Sequence, residues 1–269
     1  MSAGARAGAS LLRAPEGAAG LRGAAFFDLD RTLIAGSSAF AFGRAAARAG
    51  LISRRALAVG AMANLRFRLR GAVDDDVKAD TLRQQVMGSL AGQRVLDIER
   101  LTPAMLAAVL PRILPGILEL AWAHQDAGRP AYICSATSTE VAELMAIVLR
   151  LDGGLGTRSE IVDGHYTGRN EGPFTYGEGK AQAVRELAAA QGIELSGSYA
   201  YSDAISDVPF LRAVGHPVAV NPDAALLRLA GQEGWEVIRA DRLGRRLQMG
   251  AASLVTAAVA AGALARQRR

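Results

Sequence analysis

The chain has 269 residues, half of them hydrophobic, which is enough for one large domain or two small ones with a sizeable core. The net charge is +5, but the basic residues are spread along the chain and only 5% of residues are aromatic, which disfavours a nucleic-acid-binding protein. The single cysteine, Cys134, excludes a disulfide framework and favours a reducing compartment, and three scattered histidines disfavour a zinc site.

The amino-terminal part contains a short apolar run and a pair of aspartates. Residues 1–22 are rich in Ala and Gly without the apolar core of a signal peptide, which predicts a disordered leader and a cytoplasmic protein. Residues 24–27 predict a buried strand, and Asp28 and Asp30 follow it directly. We expect both carboxylates at the strand tip, pointing the same way while the strand geometry lasts. A solvated acidic loop is the other interpretation.

A long helical stretch follows this strand. Residues 39–48, 54–70, 75–89 and 101–110 carry apolar side chains at helical spacing, with arginines between them. No strand signal intervenes over roughly seventy-five residues, which is too long for an ordinary connection between a strand and a helix. This pattern predicts a helical cap over residues 36–111, inserted into a core made of residues 23–35 plus 112–240.

The second half alternates between strands and helices. Apolar runs predict strands at residues 130–134, 198–201, 217–220 and 236–238, and helical spacing predicts helices at 140–150 and 180–191. Residues 160–168 predict a hairpin that turns at Asp163-Gly164. The alternation indicates an α/β protein with a Rossmann-like parallel sheet.

Polar residues follow several of the predicted strands. Ser135 stands between a strand and a helix, where a hydroxyl and backbone N–H groups form an anion site, and Lys180 begins a helix after a glycine-rich loop. Asp203 and Asp207 follow another strand. Other interpretations remain open: Ser135 and Asp207 as helix caps, Lys180 as a surface charge, and Thr32 as a partner for backbone groups.

The set of residues resembles the haloacid dehalogenase superfamily of phosphohydrolases, and most closely its subfamily IB, the branch that contains the phosphoserine phosphatases. The similarity covers residues 24–240. It rests on the order Asp28-x-Asp30-x-Thr32, a helical cap, Ser135, Lys180, and Asp203 with Asp207, and on the stretches DGHYTG, GEGK, YSDAISDVPFL and VNPDAAL.

The resemblance implies a magnesium-dependent phosphatase. It implies that Asp28 attacks phosphorus to form an aspartyl phosphate, and that Asp30 protonates the leaving oxygen and then activates water. It also implies Mg²⁺ as cofactor, held by Asp28, the backbone carbonyl of Asp30 and Asp203. In addition, it implies phosphate binding by Ser135 and Lys180, and supporting roles for Thr32 and Asp207.

The substrate implied by the resemblance is a small-molecule phosphomonoester. Phosphoserine phosphatases usually carry an acidic residue shortly after the first motif, but residues 33–70 contain none, which disfavours phosphoserine and suits a small anionic or lipid-like phosphomonoester. Arg31 stands where the family often has a small residue or Lys, and its role is open. A receiver-type domain would lack Asp30 and the long insert. The alternative function is a catalytically inactive, membrane-associated phosphate-binding protein of the same fold.

The carboxyl-terminal segment is apolar. Residues 249–265 contain no charge and are flanked by arginines, which predicts a helix over residues 247–265. The length is at the short end for a membrane span, so the segment is either an anchor to the inner face of the cell membrane or an Ala-rich helix on the catalytic domain. The oligomeric state is left open by the sequence.

Overall fold

A six-stranded parallel sheet forms the centre of the computed structural model, which describes residues 23–48, 88 and 90–240. The strand order is β3-β2-β1-β6-β7-β8, and every neighbouring pair runs parallel. These strands are β1 (Ala25–Asp28), β2 (Ala131–Ser138), β3 (Gly153–Thr157), β6 (Tyr199–Ser202), β7 (His216–Val220) and β8 (Glu236–Ile238). The predicted α/β class with a Rossmann-like sheet is therefore confirmed.

The central strand β1 is buried on both faces. Phe27 belongs to one core cluster and Phe26 to the other, because neighbouring side chains of a strand point to opposite faces of the sheet. Phe27 stacks on Tyr201 with 4.4 Å between ring centroids, and Phe26 stacks on Tyr132 at 5.6 Å. A strand covered on both faces carries a continuous apolar run, which is why residues 24–27 could be recognised in the sequence.

The helices and a hairpin surround this sheet. The helices are α1 (Ser38–Arg48), α2 (Val95–Glu99), α3 (Thr102–Val109), α4 (Pro115–Asp126), α5 (Thr139–Leu149), α6 (Glu178–Gln191), α7 (Val208–Arg212) and α8 (Ala224–Glu233). The hairpin pairs β4 (Ser159–Val162) with β5 (His165–Asn170). Its turn lies at Asp163 and Gly164, as expected, and both residues have positive φ, of 50° and 73°.

The cap leaves and rejoins the core at one place. Leu114 N–H donates to the carbonyl oxygen of Leu33 at 2.9 Å, and Ala35 N–H donates to the carbonyl oxygen of Arg112 at 2.7 Å. The two connections thus pair with each other like short antiparallel strands. Helices α1, α2 and α3 lie between them, so the described part of the insert is helical. The boundaries of the cap at residues 36 and 111 stay a prediction.

Several expectations fall outside the described residues: the leader at residues 1–22, the helix at 54–70, all of the helix at 75–89 except residue 88, and the carboxyl-terminal segment at 247–265. Within residues 23–48, 88 and 90–240, none of the helices has the length and apolar character needed to cross a bilayer.

Several elements of the sheet region were not predicted from the sequence, among them helices α4, α7 and α8 and strand β3. Helix α4 buries Ile117, Leu118 and Leu120 under the sheet. Strand β3 has the sequence GGLGT, which has low strand propensity. Its glycines are required by packing, because a Cβ atom on Gly154 would lie 2.2 Å from the backbone carbon of Ala142 in α5. Such contacts are not visible in a local sequence pattern.

Candidate active site

The carboxyl ends of three neighbouring strands bring the predicted polar residues together. Asp28 is the last residue of β1 and pairs with Cys134 of β2, so Ser135 is the next residue along that strand. On the other side β1 pairs with β6, and Asp203 follows the last residue of β6. Because neighbouring strands lie about 4.8 Å apart, these side chains share one edge of the sheet.

Lys180 is the centre of the site. Its Nζ donates to Asp28 Oδ1 at 2.7 Å and to Asp207 Oδ2 at 2.6 Å, and Ser202 Oγ donates to the same Asp207 oxygen at 2.7 Å. Lys180 is only 3% exposed, which excludes its interpretation as a surface charge. Asp207 stands at the N-cap position of α7, but its carboxylate binds Lys180 rather than the helix backbone.

The electrostatics of this cluster follow from its burial. Burial raises the pKa of Asp28 to about 7, against the opposing effect of the Lys180 ammonium. Burial lowers the pKa of Lys180, but the carboxylates of Asp207 and Asp28 more than compensate, so the net shift is upward. Lys180 therefore stays charged, and it holds Asp28 and Asp207 in fixed positions.

Asp30 is held by a different part of the chain from Asp28, and the expectation that the two side chains point the same way stays a prediction. Strand β1 ends at Asp28, and the chain then turns, so that Leu33 N–H donates to the carbonyl oxygen of Asp28 at 3.3 Å. Asp30 Oδ1 accepts a 2.8 Å hydrogen bond from the backbone N–H of Ser38, the first residue of α1. The carboxylate of Asp30 is thus held by the first helix of the cap.

Ser135 and Thr32 lie at the same edge with different surroundings. Ser135 lies within β2 rather than after it, because the strand continues to Ser138, with an irregular register after Cys134. Helix α5 begins at Thr139, so Ser135 is not its cap. The hydroxyl of Thr32 is buried and has no hydrogen-bond partner among the described residues.

The arrangement of Asp203 fits a magnesium ion. Burial raises its pKa to about 8, with Asp28 adding to the shift and Arg31 opposing it. One of its oxygens, Oδ2, is buried and accepts no hydrogen bond from the described residues. In that part of the chain no three His, Cys, Asp or Glu side chains lie together as a metal cluster. Two carboxylates and the Asp30 carbonyl are the hard oxygen donors that Mg²⁺ prefers.

Among the contacts of this site that were not found from the sequence, two involve Ser202 and Ser38. Ser202 stands one residue before Asp203 and fixes Asp207; its place inside the YSDAISD stretch was a usable signal. The N–H of Ser38 could not be found, because any residue except proline supplies a backbone N–H.

The acidic, hydroxyl and lysine side chains of this site are the residues on which the resemblance to the haloacid dehalogenase superfamily rests. The family described as haloacid dehalogenase-like hydrolase matches residues 25–212, more than half of the chain. The chain belongs to this family. A protein of Mycobacterium tuberculosis named phosphoserine phosphatase is 40% identical over 248 residues, covering 91% of this chain and 80% of that protein.

Two further relatives support this assignment. A histidinol-phosphatase of Neisseria meningitidis is 30% identical over 81% of this chain and 99% of its own length. A crystal structure of a Bordetella pertussis protein of unknown function is 31% identical, with a TM-score of 0.71, and covers 82% of this chain and 99% of that one. The chain is therefore a hydrolase of the phosphatase group in this family, as the motifs indicated.

Proposed function

We propose that the protein hydrolyses a small phosphomonoester through an aspartyl-phosphate intermediate on Asp28, with Mg²⁺ as cofactor. The observation that supports this most strongly is the placement of Asp28 at the tip of the central strand, with one oxygen held by the buried ammonium of Lys180. A fixed, partly desolvated carboxylate beside a cation is suited to attack an anionic phosphoryl group, since that reaction depends on positioning and charge neutralisation.

In the first step an Asp28 oxygen forms a bond to phosphorus while the bond from phosphorus to the leaving oxygen breaks, and Asp30 gives that oxygen its proton. In the second step Asp30 takes a proton from water, which attacks the aspartyl phosphate and releases inorganic phosphate. Lys180 and Ser135 bind phosphoryl oxygens, Asp207 orients Lys180, and the buried Thr32 supports the loop after the strand. When bound, magnesium supplies positive charge opposite the phosphoryl oxygens, and Asp28, Asp203 and the carbonyl of Asp30 would hold it.

Replacement of the nucleophile tests this mechanism. Asp28→Asn keeps the shape of the side chain and removes its negative charge, so turnover of a phosphomonoester should fall to background while the circular dichroism spectrum stays unchanged. Asp163→Asn is the matched control, because it removes an exposed carboxylate from a turn where asparagine is equally tolerated. Normal turnover by the Asp28 variant, or full activity in excess chelator, would contradict the mechanism.

The same measurement addresses the alternative of an inactive phosphate-binding protein. An inactive protein would bind inorganic phosphate without turning over any phosphomonoester in a panel with magnesium. The complete set of Asp28, Asp30, Lys180 and Asp203 favours the enzyme, because a binding protein has no need of a second carboxylate for proton transfer.

The identity of the substrate is a further part of the proposal. The relatives named above differ in their named substrates, phosphoserine in one and histidinol phosphate in the other. No acidic residue occurs from 33 to 70, so a substrate ammonium would lack the carboxylate that compensates its desolvation. We therefore expect phosphoserine to be a poor substrate in a panel of amino-acid, sugar, nucleotide and lipid phosphates. The highest kcat/KM for phosphoserine would refute this expectation.

We also propose that the enzyme works in the cytoplasm, free or tethered through residues 249–265 to the inner face of the membrane. The single cysteine supports the compartment. Cell fractionation of the full chain, compared with a chain that ends at Arg246, distinguishes the two placements.

A further inference from the structure

Arg31 adopts a backbone conformation that is unfavourable for its residue type. Its φ of 62° lies in the left-handed region, which residues other than glycine rarely adopt. The conformation is held at both ends: the N–H of Arg31 donates to the carbonyl oxygen of Gly36 at 3.1 Å, and its carbonyl oxygen accepts from Asn221 Nδ2 at 3.4 Å. A glycine would adopt this turn without strain, so the presence of arginine calls for a contact made by its side chain.

The side-chain contact is with Asp203. The guanidinium nitrogen Nη1 lies 3.0 Å from Asp203 Oδ2, and the Arg31 side chain is 38% exposed, whereas that of Asp203 is 7% exposed. The two atoms are close, but Oδ2 accepts no aligned hydrogen bond from the described residues. Arg31 therefore supplies charge from the open side of the site, while the hydrogen-bonding capacity of the carboxylate oxygen stays unused. An ion pair of this kind is weaker than one with aligned hydrogen bonds, and another cation can replace it.

We propose that Arg31 is an intramolecular counter-ion of Asp203 that Mg²⁺ displaces, so that arginine and metal exclude each other at Oδ2. The proposal rests on the magnesium site of the proposed function. A buried carboxylate next to a second one needs a nearby cation, and Arg31 meets this need in the metal-free protein. Magnesium binds carboxylate oxygens at about 2 Å, so an ion on Oδ2 would stand close to the guanidinium of Arg31, and the two positive charges would repel each other.

Displacement of Arg31 by magnesium changes which cation neutralises Asp203. Once released from Asp203, the guanidinium of Arg31 no longer neutralises that carboxylate. In the metal-free protein, Arg31 partly neutralises the three buried carboxylates of Asp28, Asp203 and Asp207, which otherwise share one lysine. The same contact weakens magnesium binding. Arg31 stabilises the metal-free state but not the magnesium-bound state. By linkage, this difference in free energy weakens magnesium binding by the same amount.

The experiment compares two arginines in the same backbone conformation. Arg150 has a φ of 58° and ends α5 at the opposite end of the strands from the site. Arg31→Gly and Arg150→Gly therefore relieve the same kind of strain, but only Arg31→Gly removes a cation from Asp203. Magnesium affinity is measured by isothermal titration calorimetry on the full chain, and the melting temperature is measured in EDTA and in saturating magnesium. Arg31→Gln, which keeps the length and removes the charge, separates the ion pair from the backbone effect.

If Arg31 and magnesium exclude each other, Arg31→Gly and Arg31→Gln bind Mg²⁺ about fivefold more tightly than wild type, which corresponds to about 1 kcal/mol. Relative to Arg150→Gly, the melting temperature of Arg31→Gly falls by a few degrees in EDTA, and the difference disappears in saturating magnesium. Unchanged or weaker magnesium binding in both Arg31 variants overturns the inference, and so does an equal loss of melting temperature with and without the metal. If wild type itself binds no magnesium, the metal site of the proposed function is refuted instead.

Discussion

We expect His124, a buried histidine of α4, to make the folded protein less stable in acid. His124 is fully buried, Arg129 Nε donates to its Nδ1 at 2.9 Å, and its Nε2 lies 2.7 Å from the hydroxyl of Tyr201. Nδ1 must therefore be the unprotonated nitrogen, and Nε2 carries the hydrogen. A second proton would point at the Arg129 guanidinium, which also lies over the ring of Tyr199. Burial lowers the pKa of His124 to about 3, and the charges of Arg129 and His216 add to this effect.

The size of the effect follows from the difference between the folded and unfolded pKa. The pKa of His124 is about 3 in the folded chain, against 6.5 for an unperturbed histidine. A lowered folded pKa means that the unfolded state binds more protons, so stability is complete above pH 6.5 and is lost as the pH falls toward 3. The loss from this one group is about 2 kcal/mol at pH 5 and about 3 kcal/mol at pH 4.

Urea unfolding at pH 7 and pH 5 measures this loss. The free energy of unfolding is compared between the two pH values in wild type and in His124→Gln, whose side chain cannot titrate. The decrease from pH 7 to pH 5 should be about 2 kcal/mol smaller in His124→Gln than in wild type. His165→Gln, an exposed histidine of the hairpin, is the control and should keep the wild-type pH dependence. Equal losses in wild type and His124→Gln would refute the argument. If that variant does not fold, a His124 ring that titrates near pH 6 in the NMR spectrum of the folded wild type would refute it equally.

Two further predictions concern substitutions that remove or add a single contact. Ser38→Pro removes the N–H that holds Asp30, while proline is well tolerated at the first residue of a helix, so kcat should fall about tenfold with an unchanged fold. Ser38→Ala keeps the N–H and should leave kcat nearly unchanged. Equal kcat in both variants would show that the hydrogen bond does not contribute to catalysis. Gly154→Ala places a Cβ atom against the backbone of α5 and should lower the free energy of unfolding, measured in urea, by about 3 kcal/mol. Gly231→Ala adds its Cβ atom in open space on α8 and should raise that free energy by up to about 1 kcal/mol. Equal effects of the two substitutions would show that α5 can move aside.

Local signals account for the elements that the sequence predicted well. The apolar run before Asp28, the Asp163-Gly164 turn and the glycine that ends α6 each depend on residues next to each other in the chain. Helix α4 also carried a usable signal, an apolar spacing of three and four residues after Pro115, which begins the helix. Strand β3 did not, because its glycines are explained by the closeness of α5.

Only part of the candidate site could be predicted from the sequence. The motifs identified which residues take part, but not which of them bind each other. Lys180 and Asp28 are 152 positions apart, and only the sheet brings the ammonium to the carboxylate. The hydrogen bond from Ser38 to Asp30 could not be predicted either, because it depends on the strand ending at Asp28 and on a turn closed by backbone hydrogen bonds. The same holds for the contact of Arg31 with Asp203, since a left-handed arginine has no sequence signature.

The paired connections between core and cap make the insert exchangeable. Because Ala35 N–H bonds to the carbonyl oxygen of Arg112, the two ends that the cap leaves behind already stand side by side as neighbouring strands. A turn of two to four residues could join them, since that is the usual length of a hairpin loop. The protein thus offers a ready graft point at which a cap from another chain, or a plain turn, could be introduced without cutting through the sheet. Removing the cap would also remove the donor that orients Asp30, so a shortened enzyme would need a new partner for that carboxylate.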